Sequence, residues 1–271
     1  ADVYIGGNFD FAGSKAAVNI ARWDGSGWNV LVQDGVNGVV DFTPVQALAV
    51  APGGVYLAGG FDHAGGIAVN RVARWDGSRF RTLGEGVQNS AGFGGTIYDV
   101  ATSVDGKVYV VGQFSFAGGR LAENVAMWDG ADWHALGSGT DGIVHAVATQ
   151  GTSVYIGGRF TSVDGIAASH IARWDTDTET WHALGAGVNG DVWDLLPDGN
   201  ALYVNSEGTE TTQTFIRVGP SFNATASGKG GFKLAYPGSG HHVEVDISRQ
   251  VMVLADDGEP QHIFHISSGA A

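Results

Sequence analysis

The chain has 271 residues, 44 of them glycine, and sets 14 Lys and Arg against 28 Asp and Glu for a net charge of −14. That balance excludes nucleic acid and anionic membrane surfaces as partners, because both are bound through a basic face. No apolar run approaches the roughly 18 residues of a membrane-spanning helix, and with no cysteine neither disulfides nor thiol chemistry enters.

Residues 3–9 read VYIGGNF, an apolar run ending in a glycine pair, and residues 20–31 read IARWDGSGWNVL, an Arg-Trp-Asp-Gly turn followed by a second aromatic. The phrase returns as VYLAGGF (55–61) with VARWDGSRFRTL (72–83), VYVVGQF (108–114) with VAMWDGADWHAL (125–136), and VYIGGRF (154–160) with IARWDTDTETWHAL (171–184). Tyr4, Tyr56, Tyr109, Tyr155 and Tyr203 recur at intervals of 52, 53, 46 and 48 residues. Periods near 50 built from short apolar strands indicate propeller blades.

Within the second repeat the spacing predicts four strands, at 45–50, 55–60, 72–75 and 80–83, with 61–70 as a polar loop. The Ala51-Pro52-Gly53-Gly54 and Asp76-Gly77 turns separate them, as Pro fixes φ and Gly permits the reversal. Four-stranded antiparallel blades repeated radially hide most sheet edges and bury both faces of each blade, which accounts for such apolar strands. After Trp193 the pattern decays. Strands are expected at 202–208, 215–221, 242–248, 251–257 and 262–267, around a Gly/Ser-rich stretch at 222–240 that holds the sequon Asn223-Ala224-Thr225.

The expectation is one all-β domain over 1–271, regular through 190 and divergent over 191–271: a β-propeller of four-stranded blades. Six blades follow from counting second strands, and five is the alternative. The first repeat lacks a first strand and the last lacks a fourth, so either strands lie in 222–240 or the chain is cut from something longer.

The glycine-ended second strand, the aromatic-Asp turn and a Trp five to seven residues on (Trp23 with Trp28, Trp128 with Trp133, Trp174 with Trp181) resemble the kelch repeat. The fuller phrase resembles bacterial and fungal surface-protein repeats, including the propeller of fungal cell-polarity proteins, and covers four repeats. Both resemblances imply a propeller and leave function open, since propellers host binding proteins and enzymes alike.

A feature present in every repeat serves what the repeats share. The Trp residues are therefore expected between blades, Asp24, Asp76, Asp129 and Asp175 as acceptors of N–H bonds within their turns, and Arg22, Arg74 and Arg173 as structural. Function belongs where repeats differ. Aligning the innermost strands puts Gln46, Tyr98, His145 and Trp193 at one position, and Ala47, Asp99, Ala146 and Asp194 at the next. The first set is the candidate ligand-binding site, with His242 or Glu244 as additions from the last repeat. Asp99 and Asp194, with His145 and Tyr98, are candidate catalytic residues, since glycoside chemistry needs two acids flanking one bond. Asp175, Asp177 and Glu179 resemble the opening of a calcium loop but lack its glycine and later bidentate Glu. No cofactor is implied. The loops at 8–17, 60–69, 113–122 and 159–168 differ at Asp10, His63, Ser115 and Ser162 and offer a second surface to a partner.

Low Lys with high Gly, Thr and Trp leans toward a secreted or cell-surface protein. The functional expectation is a binding module for a polysaccharide or protein partner. The alternatives are a polysaccharide lyase or glycosidase on the same scaffold, and a structural module of a larger surface protein.

Overall fold

Short turns make each repeat close on itself as an antiparallel sheet. The computed structural model describes residues 2–39, 44–89, 94–198, 201–207, 213–218, 241–246, 251–256 and 259–265, and every named element among them is a β-strand. The chain divides into two compact units, Ala1–Glu210 with Thr214–Ala224, and Thr211–Gln213 with Thr225–Ala271.

In the first unit the second blade is ordered from its inner edge as Val45–Ala51, Gly54–Gly59, Val72–Trp75 and Phe80–Thr82, within a residue of each expected boundary. The third blade (Thr96–Thr102, Val108–Gln113, Val125–Trp128, Trp133–Ala135) and the fourth (Val144–Gln150, Ser153–Gly158, Ile171–Asp175, Thr180–Ala183) repeat the order. The first blade has three strands, Val3–Gly6, Ile20–Trp23 and Trp28–Val30. The fifth has Asp191–Asp198, Ala201–Glu207 and Gln213–Val218. In the second unit His241–Asp246, Val251–Asp256 and Glu259–His265 form one antiparallel sheet. The stretch at 222–240 and the sequon Asn223 lie outside the described residues.

The plain loop expected at 61–70 is corrected: it contains a two-residue hairpin, His63–Ala64 against Ile67–Ala68. Gly65 and Gly66 make it possible, with φ of 56° and 81°, because this tight turn needs two consecutive left-handed residues.

The hydrophobic cores lie between blades. Ile20 and Leu31 of the first repeat pack with Leu57, Ala73 and Phe80 of the second. Tyr56 and Ala58 pack with Val108, Val110 and Trp128 of the third. Tyr109 and Val111 pack with Val154, Ile156 and Trp181 of the fourth, and Ala146 and Ile171 with Val192, Leu202 and Val204 of the fifth. Each fully buried side chain of this size contributes roughly 1.5–3 kcal/mol, so a blade is stabilised chiefly by its neighbours.

Trp75, Trp128, Trp133, Trp174 and Trp181 fill this role as expected, whereas Trp28 packs within its own repeat against Ala12, Ala17 and Ala21. Trp128 lies 5.5 Å from Trp133 and Trp174 lies 5.2 Å from Trp181, ring centre to ring centre. The indole of Trp133 donates to the Leu83 carbonyl of the preceding repeat at 2.6 Å, and Trp181 to that of Leu136 at 2.8 Å. Phe80 has no indole N–H. There the buried Gln33 crosses instead, its side-chain oxygen accepting the Phe80 backbone N–H at 2.7 Å.

Candidate functional site

The inner strands of the second to fifth blades each carry one residue more than the partner strand can pair. The register jumps between Val45 and Ala47, Ile97 and Asp99, Val144 and Ala146, and Val192 and Asp194. The skipped residues are Gln46, Tyr98, His145 and Trp193, the four singled out by repeat alignment. A β-bulge re-aims the side chain at its extra residue, so these four differ from the framework in direction as well as identity.

The glycine at the end of the second strand permits the bulge. A Cβ at Gly59 would lie 2.4 Å from the Pro44 carbonyl oxygen, at Gly112 2.0 Å from that of Thr96, and at Gly158 2.2 Å from that of Ile143. These carbonyls sit two residues before the bulged residue, so any side chain would push the inner strand away.

Three of the four bulged residues meet across blades. The rings of Tyr98 and His145 are tilted with centres 5.4 Å apart, and His145 stacks on Trp193 at 4.2 Å with 15° between planes. Tyr98 and His145 are half-buried and Trp193 is 43% exposed, giving a row of rings from the third blade to the fifth. Gln46 stays exposed and adds no ring.

Nε2 of His145 is buried without a hydrogen-bond partner. Burial holds the imidazole below its ordinary pKa, opposed by nearby Asp191 and aided by Arg159. An orphaned buried N–H is costly, so the favoured neutral tautomer carries its proton on Nδ1 and keeps the lone pair at Nε2.

Asp99 follows Tyr98 and reaches the neighbouring blade. Its Oδ1 accepts the Val100 N–H and its Oδ2 the Val147 N–H, each at 2.8 Å. Burial pushes this carboxyl up to about 7; the two N–H bonds oppose the rise and the charge of Asp194 adds to it. Asp194 accepts the Leu195 N–H at 2.8 Å. Desolvation raises its pKa too, but the residue is exposed and water screens it, so its shift is the weaker. The small Ala146 occupies the corresponding position on the blade between them. Two threonines stitch the same inner strands, Thr102 Oγ1 donating to the Val50 carbonyl at 3.2 Å and Thr149 Oγ1 to that of Thr102 at 2.9 Å.

Beside the ladder stands a polar cluster that the alignment of inner strands missed. Arg159 Nε pairs with Asp191 Oδ2 at 3.0 Å, and His170 Nδ1 lies 3.9 Å from Asp191 Oδ1. The signal was present. Arg159 stands where the other repeats carry Asn8, Gly60 and Gln113, so the rule that function sits where repeats differ reaches it when applied to the second strand.

The remaining candidates are local. Oδ1 of Asp24, Asp76, Asp129 and Asp175 accepts two N–H groups of its own turn. His134 and the carboxylate of Asp129 are 2.7 Å apart. Asp175 is thus engaged in its turn, with Arg173 3.5 Å away, and among the described residues no three His, Cys, Asp or Glu are gathered to hold a metal. In the rim loops Ser162 donates its N–H to Asp141 and Ser115 its own to the Gln88 carbonyl. His242 and Glu244 belong to a strand of the second unit, whose side chains are outside the description.

No protein-family model matches the sequence, and no curated protein does. Solved structures do. The chain is similar to YCF48 bound to D1 peptide, at 12% identity over 97% of this chain and 76% of that one, with a TM-score of 0.50. It also aligns with a chain of the nidogen/laminin complex (12% identity, 98% and 81% covered, TM-score 0.45) and one of the mitotic checkpoint complex (11%, 92% and 68%, 0.42). The fold is an all-β propeller.

Proposed function

We propose that this protein is a binding module that recognises a protein partner, outside the cell or at its surface, through the Tyr98–His145–Trp193 ladder. One observation carries the reading: three side chains that differ among otherwise constant repeats stand at bulges and form one row of rings. Blade packing orders the row in advance, so a partner loses little conformational entropy on the protein's side. The solved propeller with a peptide bound shows a fold of this class in that use. A protein is preferred to a polysaccharide because His145 and Trp193 cover each other's faces, leaving one outer face of Trp193 for a sugar ring. The aromatic-Asp turns lead us to class the repeats as kelch-like, with the surface propellers they resemble.

A second reading makes Asp99 and Asp194 an acid–base pair, favoured by the carboxyl of Asp99 that titrates near 7, where a general acid works best. Both oxygens of Asp99 are engaged with backbone N–H groups, which favours the binding reading. Cleavage of a polymer abolished in Asp194→Ala would reverse that preference.

The test is a peptide library and a glycan array probed with the intact protein beside Trp193→Ala and His145→Ala variants that still melt cooperatively. A peptide bound by the parent and at least tenfold more weakly by both variants, as for an interface hot spot, supports the proposal. Binding of glycans alone replaces the partner class, and binding unchanged in both variants removes the ladder from the site.

A further inference from the structure

The carboxylate of Asp99 is placed between two rungs of the ladder. It follows the bulged Tyr98 directly, so its backbone sets the direction of that ring. Through Oδ2 it takes the N–H of Val147, two residues beyond the bulged His145 on the next blade. Oδ1 takes the N–H of Val100. The Val147 N–H lies on the inner edge of a sheet, where an unpaired donor needs an acceptor from outside its own blade.

We propose that Asp99 is the positioning residue of the ladder, holding the Tyr98 and His145 rungs in register as a carboxylate and releasing them when it takes up a proton. An ionised carboxylate accepts on both oxygens. A carboxylic acid carries its proton on one of them, and the N–H facing that oxygen is left without a good acceptor. The bond to Val100 is local to one strand, so the bond across blades to Val147 is the one that loosens. The titratable groups on the strands packed against that of Asp99 are Tyr56 in the second blade, Tyr109 in its own and His145 in the fourth, with Tyr98 beside it on the same strand and Asp194 acting from the fifth blade. Of these, Asp194 is the charged group whose field acts on Asp99, and it favours the proton. Burial holds the His145 imidazole below its ordinary pKa, so it takes up a proton less readily than a free imidazole. Acidification through neutrality would therefore loosen the row of rings before it charges the imidazole.

The consequence for binding rests on the reading above, whereas the geometry does not, so the test uses the free protein. The backbone amide of Val147 and the indole N–H of Trp193 are followed by NMR between about pH 5.5 and 8.5, the range around neutrality in which this carboxyl titrates. Both signals should titrate with one midpoint near 7, and the titration should vanish in Asp99→Asn. The Asp194→Asn variant keeps the clamp and removes only the neighbouring charge, so its midpoint should fall; this arm decides the matter if Asp99→Asn does not fold. A Val147 amide that does not titrate, one that still titrates in Asp99→Asn, or a midpoint unmoved in Asp194→Asn overturns the proposal. If these signals behave as expected while no partner is found, the clamp stands and the binding reading falls alone.

Discussion

At the scale of single residues, Asp99 separates stability from order. Its folded pKa of about 7 lies above the ordinary 3.8. The neutral form is thus the one that folding favours, and stability from this group is fully present below the ordinary value and lost as pH rises through 7. Between about pH 4 and pH 8 the stability difference between wild type and Asp99→Asn should move in the variant's favour by about 4 kcal/mol, measured by urea unfolding. A difference that stays constant with pH would show that burial does not control this carboxyl. Acid therefore stabilises the chain while loosening its ladder. Asp24, Asp76 and Asp129 show the opposite case: hydrogen bonds from within their turns hold all three carboxyls below the ordinary range. Their role was legible in the sequence because an Asx turn is local, set by residues two and three positions away.

At the scale of the blade, fourth strands are tied to the preceding repeat by one bond each. Trp181→Phe replaces the indole with a smaller ring and removes its N–H, leaving the Leu136 carbonyl with the Gly139 N–H alone at 3.3 Å; thermal unfolding should show a loss of about 1–3 kcal/mol. Gln33→Ala should cost about as much, since it strands the buried N–H of Phe80. An unchanged melting temperature in both would show that water replaces these bonds. The repeated Trp pointed to an interblade position, but Gln33 did not. It lies in a connecting segment and serves the next repeat, 47 residues on in sequence. The left-handed Asn19, Asn70 and Asn124 were likewise silent. Their φ values are 62°, 50° and 66°, and their side-chain amides donate to the carbonyls of Val39, Glu85 and Thr140 in the segments leading to the next blade. Asn tolerates this conformation better than most residues, yet a single Asn in each of three repeats, with His170 in the fourth, reads in sequence as an ordinary loop residue.

Over the whole first unit, cores that straddle blades couple neighbours. Ile156 is fully buried in the core between the third and fourth blades. Ile156→Ala should cost about 2–5 kcal/mol, and hydrogen exchange should show protection lost in both flanking blades while the first keeps more of its own. Loss confined to the fourth blade would mean that blades are stabilised from within. The cofactor-free binding reading belongs to this scale too, because the ladder exists only when the third, fourth and fifth blades are packed side by side.

Repetition in the sequence determined the fold class, the strand order within a blade and the interblade place of most repeat tryptophans, because each depends on contacts inside a repeat or on what all repeats share. It also identified Gln46, Tyr98, His145 and Trp193, since variation against a constant framework is visible without coordinates. That three of these touch and Gln46 stands apart was decided by the tertiary structure. So were the bond from Asp99 to Val147 and the desolvation that carries its pKa to about 7. The physical reason is common to them: bulge direction, burial and contact between inner strands depend on how adjacent blades pack, and residues some 48 positions apart carry no local signal of the distance between them.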